Sequence, residues 1–199
     1  MTPTELYEML SAKYPSHIVG SICEVETTCR KKGFCSQKQN YPVIDFDEVK
    51  NDFCQGGMSL ASVDAVCASG NGQYFCFVEL KGWSNYVSYL DKQKKSIEDT
   101  ASGYNLNGKL DDSQQICISI SDNKDLFKGM PIVFLLVTDI TVKDDGMAVF
   151  ADTMFKLAET SSDTYSKCLT AARKTLDTEI RVEHDYIYCK DFDKYIAAL

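Results

Sequence analysis

The sequence has few of the residues and runs that define several large classes of protein. It contains only two histidines, which argues against a histidine-rich metal site. No run of 18 apolar residues occurs, so a membrane-spanning helix is not expected, and the longest apolar stretch, at 131–137, has the length of a strand. The first residues form neither a basic nor an apolar segment, so we expect no secretory signal and a cytoplasmic location.

Several motifs of common enzyme classes are also missing. The sequence has no Gly-rich loop ending in Lys-Ser/Thr, no dinucleotide-binding fingerprint and no Gly-x-Ser-x-Gly elbow. We find no internal repeat, low-complexity stretch or clear linker. Apolar residues make up 44% of the chain and charged residues 25%, which excludes intrinsic disorder, collagen and coiled coil. A length of 199 residues then suits a single domain over 1–199.

Nine cysteines and a net charge of −8 limit the interpretation further. An odd number of cysteines without an export signal favours reduced thiols. Cys23, Cys29 and Cys35 are equally spaced in an irregular segment at about 16–41. Structural zinc sites usually have short paired spacings, so we favour a surface insertion with partly buried thiols over a metal site. The acidic charge argues against coating of nucleic acid by charge alone but does not exclude a nucleic-acid enzyme.

Hydrophobic periodicity predicts both helices and strands. The segment 103–112 contains turn residues, and 115–121 fits either a strand or a helix. The apolar run at 131–138 is typical of a strand that is covered on both faces. The pattern indicates one α/β domain with helices over about 3–13, 45–54, 83–100, 147–158, 161–176 and 191–199, and strands over 62–67, 74–81, 131–138 and 181–189.

Three polar side chains interrupt the apolar strands of a predicted hairpin. The turn at 69–72, Ser-Gly-Asn-Gly, is typical of a hairpin between the strands at 62–67 and 74–81. Because side chains alternate along a strand, Glu79 and Lys81 share one face. Closure at this turn brings Asp64 roughly opposite the Glu79 region. Two carboxylates and a lysine are therefore expected to meet at one end of the sheet.

This group suits metal-assisted hydrolysis of phosphodiester bonds. Mg²⁺ prefers carboxylate oxygens, polarises a phosphate and lowers the pKa of a bound water. A lysine beside it orients that water or stabilises the extra charge on phosphorus. The structural alternative is a solvated ion pair between Glu79 and Lys81, with Asp64 capping a turn. An unpaired charge within apolar strands is costly, which favours a joint site with Mg²⁺ or Mn²⁺ as cofactor.

The spacing of these residues resembles that of the PD-(D/E)XK nuclease superfamily, which has the restriction-endonuclease-like fold. Asp64 is followed 15 positions later by Glu79-Leu80-Lys81 on a hairpin. The resemblance implies a core of helix, three-stranded meander, helix and strand, with extra C-terminal helices. It covers roughly 45–139. The first strand of the meander is not visible in the sequence, because 56–60 leaves little room for it.

The resemblance also implies roles for individual residues. Asp64 and Glu79 would be metal ligands and catalytic residues, and the backbone carbonyl of Leu80 would be a further ligand. Lys81 would be the catalytic lysine.

Family members often supply two more groups from helices. An acid comes from the first helix, for which Glu48 and Glu8 are the candidates, although Glu48 also fits a capping box that begins at Asp45. A Gln or Lys comes from the helix after the motif. Gln93 is the candidate for this catalytic position, because it shares a helix face with apolar residues and should point toward the sheet.

The expected function is therefore a metal-dependent nuclease that acts on nucleic acid, with DNA as the expected substrate and no membrane. A homodimer would allow two sites to cut two strands, and a protein partner is also open. Two alternatives remain, a non-catalytic binding subunit of the same fold and an acidic immunity or inhibitor protein. Metal binding at Asp64 and Glu79 distinguishes the enzyme from both alternatives.

Overall fold

The computed structural model describes residues 1–25, 40–55, 59–83, 96–139 and 162–199, with side chains in the last range from residue 167 onward. The described helices are α1 (Pro3–Lys13), α2 (Ile22–Val25), α3 (Phe46–Phe53), α4 (Ile97–Ser102), α5 (Leu106–Ser121), α6 (Ser162–Glu179) and α7 (Phe192–Ala198). The described strands are β1 (Ile18–Val19), β2 (Val43–Asp45), β3 (Ala65–Ala68), β4 (Phe75–Lys81), β5 (Ile132–Thr138) and β6 (Glu183–Tyr188). Within these ranges, no helix has the length and apolar character needed to cross a membrane.

The six strands form one mixed sheet in the order of the chain. Neighbours from β1 to β4 are antiparallel, whereas β5 is parallel to both β4 and β6. Parallel neighbours need a crossover connection, and α4 and α5 lie in the chain between β4 and β5. The predicted α/β class is confirmed.

Two apolar clusters pack against opposite faces of the sheet. The first contains apolar side chains of α1, α3, α5 and α6, together with Phe75, Phe77 and Phe134 of the sheet. The second contains Cys76 and Val78, together with side chains of α2 and α7. The alternation of residues 75–78 between the clusters confirms the predicted strand periodicity. It also places the polar end of β4 on the face that α5 covers.

Several elements follow the sequence prediction closely. The helix α1 begins with a reciprocal capping box between Thr2 and Glu5. The strand β5 is buried along nearly its whole length between two parallel neighbours, as its continuous apolar sequence predicts. The predicted helix at 161–176, the strand at 181–189 and the helix at 191–199 correspond to α6, β6 and α7.

Other elements differ from the sequence prediction or decide between its alternatives. The segment 103–112, which contains turn residues, is mostly helical because α5 begins at Leu106, and of the two alternatives for 115–121 the structure shows the helix. The strand predicted at 62–67 begins only at Ala65, so Asp64 directly precedes it. The strand before the hairpin is β2, which precedes α3 in the chain and pairs with β3. The segment 16–41 is not irregular throughout, since β1 and α2 lie within it.

Some predictions lie outside the described residues. Most of the helix predicted at 83–100 does, and of this segment the structure describes Trp83 and the beginning of α4. The helix predicted at 147–158 and the cysteines Cys29 and Cys35 also lie outside them. Cys23 is described and is partly buried.

Candidate active site

The register of the β3–β4 hairpin places Asp64 beside Glu79. Ala65, the first residue of β3, is the partner of Val78. Asp64 directly precedes Ala65, and the negative charge of Glu79 acts on its carboxyl group. The turn at 69–72 closes this register with Gly72 at φ +71°, a conformation that favours glycine. The predicted meeting of the two carboxylates is confirmed.

Glu79 is the buried centre of the cluster, with 0% of its surface exposed. Its Oε1 atom accepts hydrogen bonds from Lys81 Nζ at 2.5 Å and from Lys109 Nζ at 2.6 Å. Its Oε2 atom is buried and has no hydrogen-bond partner among the described residues. Buried carboxylate oxygens are rarely left without a partner, so this atom has the capacity for one more interaction.

Asp64 is held beside this centre by the backbone of β4. Its Oδ2 atom accepts a hydrogen bond of 2.6 Å from the N–H of Leu80. Burial, followed by the negative charge of Glu79, raises the pKa of Asp64 to about 7, against the opposing effect of Lys109 and Lys81. The carboxylate is 20% exposed, so water reaches it.

Lys81 lies at the end of β4 with its side chain bent back over the cluster. Its ammonium group contacts Glu79 and lies 4.8 Å from the centre of the Tyr104 ring. Tyr104 in turn packs edge-on against the buried ring of Trp83. The aromatic ring offers a favourable surface to the ammonium group, which remains 22% exposed.

Lys109 is the fourth member of the cluster, and the sequence did not predict it. Its ammonium group lies 2.6 Å from Glu79 Oε1 and 4.0 Å from Asp64 Oδ1. Burial lowers the pKa of Lys109, but the charge of Glu79, its hydrogen bond and the charge of Asp64 raise it overall. Lys109 was missed because the turn residues in 103–112 obscure the start of α5 in the sequence.

The start of α5 depends on a residue that is distant in sequence. Asn105 adopts a left-handed conformation and makes no side-chain cap. Instead, Glu179 of α6 accepts hydrogen bonds from the N–H groups of Leu106 and Asn107. A carboxylate at a helix N-terminus satisfies free N–H groups and interacts favourably with the helix dipole. This contact fixes the turn of α5 that carries Lys109.

The same helix also holds the chain that leads to Asp64. The Ser113 hydroxyl accepts a hydrogen bond from the N–H of Val63 at 3.0 Å, and Asp112 accepts one from Ala61 at 2.8 Å. These residues lie one turn beyond Lys109 on one side of α5, because residues three or four apart share a helix face. One helix therefore positions two members of the cluster.

The acids proposed from the first helix do not join the cluster. Glu48 is exposed on α3, and its backbone N–H bonds to the N-cap Asp45. Glu8 of α1 is also exposed and borders an open groove beside the 69–72 turn, at the opposite end of the hairpin. Asp47 is the α3 acid whose negative charge helps to raise the pKa of Lys109. It also bonds to Lys50 and Ser62. Asp47 is one residue from the predicted Glu48, on the side of the helix that faces α5.

Gln93 lies outside the described residues, so its position is not given. Leu80 contributes its N–H to Asp64, as described above, and its partner across the parallel pair is Val137.

The donor atoms of the cluster fit a hard divalent cation. Asp64 and Glu79 supply carboxylate oxygens, and Glu79 Oε2 is buried without a described partner. Mg²⁺ commonly binds through one or two carboxylates and keeps several waters, which matches two adjacent acids of which Asp64 is partly open to solvent. Among the described residues, no group of three or more His, Cys, Asp or Glu side chains is arranged to hold a metal. The acids that the candidate site offers are Asp64 and Glu79.

We find no significant match to any protein-family model, curated protein or solved structure.

Proposed function

We propose that the protein is a metal-dependent nuclease of the PD-(D/E)XK type, with Asp64, Glu79 and Lys81 at its centre. The observation that carries this proposal is the meeting of the three side chains at one end of the β3–β4 hairpin, with Glu79 fully buried. A buried acid between two lysines is costly to maintain, and charged clusters of this kind concentrate at functional sites.

The order of the elements supports the same proposal. The antiparallel series β2–β3–β4 is a meander, and it is followed by helices and by β5, which is parallel to β4. This order is the one implied for a restriction-endonuclease-like core, with the aspartate at the start of the meander's second strand and the acid-x-lysine on its third. The helix α3 between β2 and β3 is an addition to that pattern, and α6 and α7 extend it at the C-terminus.

In this proposal, Asp64 and Glu79 hold Mg²⁺ or Mn²⁺, and the carbonyl of Leu80 is available as a third ligand. The cation, when bound, polarises the scissile phosphate and lowers the pKa of the attacking water. Lys81 carries its positive charge at the same edge, where it orients the water or stabilises the charge that develops on phosphorus. Its ammonium group lies over the Tyr104 ring, on the side of the cluster that solvent reaches, and the Lys81 side chain is 22% exposed.

The net charge of −8 makes a local positive charge important for binding a polyanion. Within the cluster, Lys81 and Lys109 balance the charges of the two acids, and a bound divalent cation would add the positive charge. We propose DNA as the substrate and leave a second copy of the chain as a candidate partner, since two sites would cut two strands. Reduced thiols suit the proposed cytoplasmic location, and five described cysteines have free thiols: Cys54, Cys67, Cys76, Cys117 and Cys168.

A second candidate function is a non-catalytic binding subunit of the same fold. The observation in its favour is the pairing of Glu79 Oε1 with two lysines, since a cluster of two acids and two ammonium groups balances its own charge. An acidic immunity or inhibitor protein fits the net charge equally well. Neither alternative requires a cation at Asp64 and Glu79.

A cleavage assay on single-stranded and double-stranded DNA and RNA, with Mg²⁺ or Mn²⁺, tests the proposal. We expect the wild type to cleave at least one substrate and Lys81→Ala to lose activity by about 100-fold or more, because a group that stabilises developing charge contributes on that order. The matched control is Lys124→Ala, which removes an exposed lysine after α5 and should leave cleavage unchanged.

Two results would contradict the nuclease. Full activity in Lys81→Ala would show that Lys81 is not part of the catalytic centre. Failure of the wild type to cleave any of the four substrates with either cation would favour the binding subunit or the inhibitor, and the search would turn to a protein partner.

A further inference from the structure

The Lys109 ammonium group lies between the two carboxylates that the proposed function assigns to a cation. It is 2.6 Å from Glu79 Oε1 and 4.0 Å from Asp64 Oδ1. Lys81 is placed differently, since it reaches Glu79 from the strand end and rests on the Tyr104 ring. Lys109 is thus the described lysine whose charge is paired with both acids.

An ammonium group and a divalent cation are both attracted to the carboxylate oxygens of Asp64 and Glu79. Two positive charges a few ångströms apart repel each other, and the repulsion is stronger in a partly buried site than in water. The Lys109 side chain is only 23% exposed, so solvent screens it incompletely. Each cation therefore weakens the binding of the other.

Lys109 is also held at the cluster by the anchoring of α5. Glu179 fixes the first turn of the helix, and Ser113 and Asp112 tie the next turn to the chain before Asp64. A group attached to a fixed helix is present at a high effective concentration, unlike a cation that must come from solution. The tether makes Lys109 an effective competitor.

We propose that Lys109 is a built-in competitor of the divalent cation, which holds the acids of Asp64 and Glu79 in the metal-free protein and sets the cation concentration that the site needs. This inference rests on the proposed function, because it requires a divalent cation at these two carboxylates. It assigns to Lys109 a regulatory role, in which removal of the side chain strengthens metal binding.

Removal of Lys109 does not leave Glu79 without a partner. Lys81 still donates a hydrogen bond to Glu79 Oε1, and Leu80 still bonds to Asp64. A variant at position 109 should therefore keep the geometry of the two acids, although it loses part of the stability of the metal-free protein.

The test measures binding of Mn²⁺ alone to the full chain, without nucleic acid, from the loss of the electron paramagnetic resonance signal of free Mn²⁺. We expect Lys109→Met to bind Mn²⁺ about tenfold more tightly than the wild type, since it removes a nearby positive charge. Lys109→Arg keeps the charge and should show no gain. Lys124→Met is the matched surface control and should equal the wild type.

Thermal unfolding followed by circular dichroism accompanies the titration. Metal-free Lys109→Met should unfold at a lower temperature than the wild type, and saturating Mn²⁺ should raise its Tm by more than it raises that of the wild type. If the methionine variant does not fold, Lys109→Gln is used in its place, because it is also neutral but retains a hydrogen-bond donor for Glu79.

The outcomes separate this inference from the function on which it rests. Equal or weaker Mn²⁺ binding in the neutral variants, with clear binding by the wild type, would overturn the competitor role and leave the metal centre intact. A gain in Lys109→Arg as large as that in Lys109→Met would also overturn it. Absence of Mn²⁺ binding by the wild type and every variant would overturn both the inference and the proposed metal centre.

Discussion

The backbone N–H of Val63 donates a 3.0 Å hydrogen bond to the buried hydroxyl of Ser113. This bond joins the residue before Asp64 to the helix that carries Lys109, one turn away. Together with the hydrogen bond from the N–H of Ala61 to Asp112, this bond fixes Asp64 relative to Lys109. Disturbance of this contact should affect the fold and the cluster together.

Ser113→Ala should destabilise the protein by about 1–3 kcal/mol, because it leaves the buried N–H of Val63 without an acceptor. Urea unfolding measures this loss. Ser119→Ala is the matched control on the same helix, since Ser119 is exposed and its side chain, among the described residues, bonds to Gln115 of α5. Its effect should stay within about 0.5 kcal/mol. Equal effects of the two substitutions would show that the Val63 contact contributes little.

Asp64→Asn should weaken Mg²⁺ or Mn²⁺ binding by roughly tenfold or more, because it replaces a charged oxygen ligand by a neutral amide. Isothermal titration calorimetry with the metal alone measures the change. Asp111→Asn, at an exposed position of α5, makes the same chemical change away from the cluster and should bind metal as the wild type does. Unchanged affinity in Asp64→Asn would argue against Asp64 as a ligand.

The stability of the metal-free protein should depend on pH through Asp64. Burial and the charge of Glu79 raise the pKa of this carboxyl from 3.8 to about 7, so the folded state favours its protonated form. The resulting stabilisation is fully present below the unfolded value of 3.8 and is lost as the pH rises through about 7. Between these limits, the wild type should lose on the order of 1–3 kcal/mol relative to Asp64→Asn.

The measurement is urea unfolding of both proteins at a series of pH values with a chelator present. Asp64→Asn serves as the reference because it retains every other titrating group and does not titrate at position 64. Two stability curves that remain parallel across this range would contradict the raised pKa of Asp64.

The sequence predicted the members of the site that lie on the hairpin. The turn at 69–72 fixes the register of the two strands, which brings Asp64 roughly opposite Glu79, and strand alternation assigns Glu79 and Lys81 to one face. These are local rules, so a short stretch of sequence contains all the information that they need.

The parts of the site and sheet that lie outside the hairpin were not predicted. Lys109 belongs to a helix whose first turn is stabilised by Glu179, more than 70 positions later in the chain. Asp47 was passed over for its neighbour Glu48, because sequence spacing does not tell which side of α3 faces α5. The strand β2 was missed because it is only three residues long and is stabilised by its neighbours in the sheet.

The sequence by itself determined the α/β class, the hairpin and the alternation that places an acid and a lysine on one face of β4. The tertiary structure decided that α5 begins at Leu106, that its Lys109 reaches both carboxylates, and that Glu79 is fully buried with one oxygen lacking a described partner. The physical reason is the separation along the chain over which each interaction acts. Alternation and turn geometry act between neighbours in the chain, whereas burial and charge pairing depend on which distant segments pack together.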